Sequence, residues 1–235
     1  MLLVPWLAGV LTAGFRWVHL PLLGAWLAGY LFSYYLLQAV KTRRPGRVRA
    51  QLLAYATPTI LLGGLVLTLQ PQLLWYAPAY ALLLGINVAY AVRRNERALV
   101  NDLASVAQSC LMVLVFATVA GQTPGHVLPA FLAVTAYFTG TVLYVKTMIR
   151  ERGRTGYYRA SVAYHLVILA VAAGLRAPVA ILFAGLLVRA YAFPQGRLLP
   201  LHRRGGKRPM TPKQVGVIEI VACVLLLVAI TVFGS

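Results

Sequence analysis

Acidic side chains are nearly missing: the 235 residues hold only four, Glu96, Asp102, Glu151 and Glu219. A two-metal carboxylate site needs several Asp or Glu at helical spacing, and no such pair occurs. Cysteine is equally scarce. Cys110 and Cys223 lie in apolar stretches and read as small apolar residues, which excludes a disulfide framework or a zinc site. No polar stretch is long enough to fold by itself, so no soluble domain is expected. P-loop, Gly-x-Ser-x-Gly, HExxH, CxxC and haem-attachment patterns are absent, and the first residues show no leader with a cleavage site.

What the chain has is apolar length. It is 60% hydrophobic and only 11% charged, yet its formal net charge is +18. All Lys and Arg except Arg16 and Arg176 fall in four gaps between apolar stretches, around 41–49, 93–97, 146–159 and 189–213. Cytoplasmic loops retain Lys and Arg while translocated loops exclude them, so the alternation is that of a polytopic membrane protein. The charge is therefore topological and does not indicate a nucleic-acid partner.

A helix needs roughly 20 residues to cross about 30 Å of hydrocarbon. Apolar stretches near 1–15, 20–40, 52–69, 73–92, 100–120, 127–146, 159–175, 177–193 and 214–233 give about nine transmembrane helices. Irregular backbone cannot face lipid, so the fold class is all-α, a polytopic membrane helix bundle. The uncharged connections at 70–72 and 121–126 belong outside, which puts the N-terminus in and the C-terminus out. The whole of 1–235 is read as a single integral membrane domain. Its first stretch would rise only about 22 Å as a helix, so a first helix truncated at its N-terminus is expected. Thr211-Pro212-Lys213-Gln214 has the pattern of a capping box opening the last helix. The basic run around Gly205-Gly206 is the expected mobile segment.

Ionisable groups within spans are expensive and usually functional. All four acids fall on or near the cytoplasmic side. Asp102, Ser105 and Ser109 share a helical face, with Asn101, Ser105 and Gln108 adjoining it. Tyr137, Thr141, Tyr144 and Met148 line one face of the sixth span, and Tyr158, Ser161 and His165 one face of the seventh. Converging, these stripes make a wet cavity open to the cytoplasm. The same side chains also serve as hydrogen-bonding glue between membrane helices, the role assigned to Asn87.

The run 139–152, Thr-Gly-Thr-Val-Leu-Tyr-Val-Lys-Thr-Met-Ile-Arg-Glu-Arg, followed by Tyr158, Ser161, Tyr164 and His165, resembles the YwiC-like family of bacterial integral membrane proteins. So do 94–103 and the opening Met1-Leu2-Leu3-Val4-Pro5-Trp6. The resemblance covers essentially the whole chain and implies a multi-pass protein of the bacterial cytoplasmic membrane. The family commonly carries Glu-His-Gly-Ala-Trp just before this opening, a segment not present here. In layout the chain is distantly similar to the UbiA superfamily of intramembrane prenyltransferases. Those enzymes hold magnesium and a prenyl diphosphate with Asp-rich motifs after helices two and six. The matching loops, at 40–46 and 150–154, contain no aspartate.

One function that fits is a UbiA-like bundle that binds or processes an anionic or isoprenoid lipid at a cytoplasm-facing polar cavity. In that reading Asp102, Glu151 and His165 are the catalytic candidates, orienting water or moving protons. Arg93, Arg94, Arg97, Lys146, Arg150 and Arg152 hold a phosphate-bearing headgroup, because Arg forks suit phosphate oxygens. Asn101, Ser105, Tyr144, Tyr158, Ser161 and Glu219 complete the ligand-binding set, and membrane lipids are the expected partners. The alternatives are a small-solute or anion transporter, with a midplane site, and an accessory or structural membrane subunit without catalysis. The residues leave open whether the protein is an enzyme and name no cofactor.

Overall fold

A computed structural model describes residues 2–174, 177–194, 202–203, 206–207 and 210–231. Among them are nine helices: α1 (Leu3–Ala13), α2 (His19–Thr42), α3 (Arg49–Leu69), α4 (Ala77–Val92), α5 (Leu99–Ala120), α6 (Leu128–Val145), α7 (Thr155–Ala173), α8 (Ala177–Ala192) and α9 (Pro212–Thr231). Each expected apolar stretch corresponds to one of them. Six helical segments are long and apolar enough to cross a membrane: His19–Thr42, Pro45–Leu69, Pro71–Val92, Leu99–Ala120, Leu128–Arg150 and Pro212–Thr231. α1 and α8 are apolar but shorter, and α7 is not among the six. The chain is an all-helical membrane protein. Much of the basic run expected to be mobile lies outside the described residues, as do Met1, Arg176, Arg197 and Gly205. The described part of that run is a two-residue antiparallel ladder, His202–Arg203 on Gly206–Lys207.

Proline and glycine set the helix ends. α4 begins at Ala77, later than its hydropathy suggests, because Pro71–Tyr76 winds as a tighter 3₁₀ turn. α5 ends at Gly121, whose φ of 80° is the left-handed cap that glycine adopts without strain. α9 opens with the anticipated capping box. Gln214 Oε1 accepts from Thr211 N–H at 2.9 Å, and Thr211 Oγ1 accepts from Gln214 N–H at 3.3 Å. α6 does not end cleanly. It runs into one π-helical turn, Lys146–Arg150, closed by Glu151 N–H donating to the Lys146 carbonyl at 2.7 Å.

The described chain divides into two compact units, Met1–Phe131 and Leu132–Ser235. In the first, α2 and α3 form a hairpin, while α1 and α4 pack on α5. Half of the α5 span is buried, against about a tenth of α2, so α5 is the strut of this unit. Lipid tails are as apolar as leucine, so membrane helices associate through close packing and polar ties. Both are visible here. Gly9 of α1 lies so close to α5 that an added Cβ would come within 2.6 Å of Phe116. The His19 ring stacks on Phe116 at 3.5 Å, Nε2 lies 3.1 Å from the Phe116 carbonyl, and Arg16 N–H donates to Nδ1 at 2.7 Å. A neutral ring with its proton on Nε2 satisfies both of these contacts. In the second unit α8 packs on both α7 and α9.

Candidate functional site

The second unit gathers its polar groups on one stripe of α6. Tyr137, Thr141 and Tyr144 recur at helical spacing, with Gly140 beside them. Glu219 of α9 faces this stripe. Its Oε2 accepts from the Tyr137 hydroxyl at 3.0 Å and from the Thr141 hydroxyl at 2.9 Å. Its Oε1 accepts from Arg189 Nη1 of α8. The pair is deeply placed, with side-chain exposures of 6% for Arg189 and 15% for Glu219. The Arg189 guanidinium carbon also lies 4.1 Å from the centre of the Tyr144 ring, on whose negative face it rests. Cys223 Sγ, one turn along α9, sits 3.4 Å from the Tyr137 hydroxyl.

α7 brings His165 to the same stripe. An added Cβ on Gly140 would lie 3.0 Å from His165 Nε2, so a larger residue there would push the ring back by a few tenths of an ångström. His165 Nδ1 donates to the Ser161 carbonyl at 2.7 Å, which leaves Nε2 as a bare lone pair. That lone pair has no partner. Neither do the Tyr144 hydroxyl, the Ser161 hydroxyl, or Nε and Nη2 of Arg189, and all are buried. Buried polar groups are nearly always hydrogen-bonded. A concentration of unmet donors and one unmet acceptor beside an ion pair marks this stripe as the strongest candidate site among the described residues.

A groove of about 810 Å³ runs between α8 and α9 next to this cluster. Leu182, Leu186, Ile218, Val221 and Leu225 line it, and among the described residues Arg189 is its one charged side chain. An open polar pocket of about 390 Å³ lies nearby, with Glu151, Arg154, Tyr158 and Arg159 on its wall.

Six residues singled out in the sequence therefore belong to one cluster: Tyr137, Thr141, Tyr144, Ser161, His165 and Glu219. Arg189, which completes it, was counted there as a loop cation, but it lies within α8. The signal was available, since an arginine inside an apolar helix needs a partner. The remaining candidates are placed otherwise. Asn101 and Ser105 form a satisfied network with Asn87, whose Nδ2 donates to Asn101 Oδ1 at 2.9 Å and Ser105 Oγ at 3.1 Å. Asn101 Nδ2 donates to the Glu96 carbonyl at 2.8 Å. This is a tie between α4 and α5, the role expected of Asn87. Asp102 lies in the first turn of α5. Arg93, Arg94 and Arg97 are exposed at the α4–α5 turn, where Arg94 adopts a left-handed φ of 54°. These belong to the first unit, as does the Lys41–Glu96 pair at 2.7 Å.

At the end of α6, Lys146 is buried and Arg150 exposed. Arg152 Nε donates to the Met148 carbonyl at 2.9 Å, and its Nη2 to the Met210 carbonyl at 3.2 Å. Glu151 pairs with Arg154 at 2.7 Å. That hydrogen bond, with the carboxylate charge, raises the Arg154 guanidinium further above its ordinary value. The Tyr158 hydroxyl donates to the Tyr191 carbonyl at 3.2 Å. Among the described residues no group of three His, Cys, Asp or Glu could hold a metal. The loops after α2 and α6 offer cations and one carboxylate already paired with Arg154. That donor set does not suit magnesium, which binds through carboxylates and substrate phosphates.

The model of the YwiC-like protein family matches residues 1–117. The uncharacterized protein YwiC of Bacillus subtilis (strain 168) is 32% identical over 97% of this chain and 92% of its own length. An uncharacterized protein of Haemophilus influenzae is 30% identical over 97% of this chain and 94% of its own. The chain belongs to the YwiC-like family. No solved structure matches it. The whole α6–α9 cluster lies beyond residue 117, where the match to the YwiC-like model ends. Both matches cover 97% of this YwiC-like chain, so they reach the region that carries Arg189 and Glu219.

Proposed function

We propose that this YwiC-like protein holds an anionic amphiphile, a phospholipid or an isoprenoid phosphate, with its chain in the α8–α9 groove and its charged end at Arg189. The reading places nine spans in the bacterial cytoplasmic membrane, with the N-terminus inside. It keeps the lipid-binding part of the UbiA-like expectation and drops magnesium-dependent ionisation, for which the donor set is wrong. One observation carries it. A long groove is apolar along its length and meets, at one end, a buried guanidinium with two unmet N–H groups. An apolar tail gains dispersion contacts along such a wall. An oxyanion supplies the acceptors that Nε and Nη2 lack, and a guanidinium edge suits it geometrically. Arg152, bonded to the Met210 carbonyl just before α9, puts a further cation at the end of the unit from which α9 starts.

Native mass spectrometry of detergent-purified protein tests this. Wild type retains an anionic lipid, and Arg189→Gln, less stable than wild type but still folded at the temperature of the measurement, loses it. Retention undiminished in Arg189→Gln, or no retained amphiphile in wild type, overturns the reading. Arg150→Ala and Lys146→Ala report on the exposed and the buried cation at the end of α6, and should weaken retention less than Arg189→Gln does. A retained small soluble anion in place of lipid supports the transporter reading, which the ion pair buried between apolar helices also favours.

A further inference from the structure

The site contains one cation and one carboxylate, so it is neutral before anything binds. Arg189 and Glu219 are the charged pair. The groups facing them from the other helices are neutral: Tyr137, Thr141 and Tyr144 on α6, and Cys223 on α9 itself. From α7 the titratable neighbour of this stripe is His165, one ring nitrogen bonded to the Ser161 carbonyl and the other against Gly140. In apolar surroundings isolated charges are costly, and charges persist there as balanced sets. An anion arriving at Arg189 breaks the balance. One guanidinium would then face two negative groups with little water to screen them.

The carboxylate is the group that can remove this excess. We infer that Glu219 takes up a proton when an anion binds at Arg189, so that the site co-binds the anion and a proton. The inference rests on the reading of Arg189 as the anion's contact. The geometry assigns the proton's place. Glu219 Oε2 already accepts from Tyr137 and Thr141 and keeps those bonds. Oε1 is the oxygen that Arg189 holds. When the anion takes the open Nε–Nη2 edge of Arg189, Oε1 takes up a proton from the aqueous phase, and the neutral carboxyl group still accepts from Nη1 through its remaining lone pair. Arg189 keeps its charge and gains the anion's oxygens at Nε and Nη2. The only covalent bond formed is O–H. By linkage the effect is reciprocal: the anion raises the site's hold on the proton, and the proton raises its hold on the anion.

Spin-labelled phosphatidylglycerol in phosphatidylcholine vesicles tests this with reconstituted full-length protein. Its phosphodiester charge does not change over the working pH range, so any pH slope belongs to the protein. Association relative to phosphatidylcholine should strengthen by about tenfold for each unit of falling pH while Glu219 is ionised in the free protein, then level off. Glu219→Gln should bind tightly with no slope, since its amide stands in for the protonated acid. Glu219→Asp should retain a slope, and so should His165→Gln. Selectivity for phosphatidylglycerol without a slope in wild type overturns the proton uptake and leaves lipid binding standing. A slope that survives in Glu219→Gln overturns it as well, by placing the proton elsewhere. No selectivity at any pH in wild type or Glu219→Gln overturns the lipid reading itself.

Discussion

A guanidinium and a carboxylate buried between apolar helices hold each other in place more than they stabilise the fold. Each was moved out of water at a cost that their attraction only roughly offsets. Removing one partner strands the other charge. Arg189→Ala is therefore expected to destabilise the protein by about 3–5 kcal/mol. The double variant Arg189→Met/Glu219→Leu should recover most of that loss. Unfolding curves in a mild detergent, arranged as a double-mutant cycle, read the difference. A double variant as unstable as the sum of its parts would show that the two residues do not act as a pair. At this scale much of the site was legible. Helical spacing aligned Tyr137, Thr141 and Tyr144 and set Ser161 beside His165, and the cost of charge in a span singled out Glu219. Arg189 escaped because a cation near a basic run reads as part of the loop, and hydropathy does not place a helix end to within one turn. Asp102 and Glu151 are ionisable groups at the ends of spans, Asp102 on the face of Ser105 and Ser109, and the structure sets Asp102 in the first turn of α5. Glu151 is committed to Arg154.

At the scale of the element, the end of α6 departs from regular winding. A π turn at Lys146–Arg150 holds one residue more than an α turn would, and such turns recur at functional sites. The insertion decides where the following side chains point. Each residue advances an α-helix by about 100°, so removing one rotates everything after it by that amount. Deleting Thr147 should regularise the helix and carry Arg152 away from the Met148 and Met210 carbonyls. The expected result is a lower unfolding temperature and weaker lipid retention, with Tyr137 and Thr141 still on Glu219. Hydrogen exchange across 146–152 checks it, because the deletion should change protection there and spare 137–144. Unchanged exchange and retention would mean that the turn plays no part in positioning the site. Sequence could not reveal this turn. A single extra residue leaves no mark on composition or hydropathy, and Met148 still packs in one cluster with Tyr144 as helical spacing expects. The ends fixed by specific side chains were legible, as the Thr211–Gln214 box shows. The start of α4 was not, since hydropathy is blind to whether an apolar stretch winds as an α-helix or a 3₁₀ turn.

For the whole molecule, the strongest constraint is the segregation of charge along the chain. The turns after α2, α4 and α6 carry Arg43, Arg44, Arg93, Arg94, Arg152 and Arg154, while Gln70, Gln72, Gln122 and Thr123 occupy the intervening ones. Helix existence followed directly from hydropathy, because length and apolarity are properties of the segment alone. The number of crossings did not, because α1 and α8 would rise only about 16 and 24 Å, short of about 30 Å of hydrocarbon. Orientation depends on the cations, and it fixes which compartment supplies the proton to Glu219. Arg189 lies near the end of α8 and Glu219 near the start of α9, toward the side of the basic run that joins them. Single cysteines at Arg44, Arg154, Gln72 and Thr123, in a background lacking Cys110 and Cys223, give the test. A membrane-impermeant maleimide added to intact cells should label positions 72 and 123, and label 44 and 154 only after lysis. Labelling of 154 from outside would invert the bundle. The proton and the headgroup would then come from the outer face, so the same ion pair would respond to external pH and not to the cytoplasm.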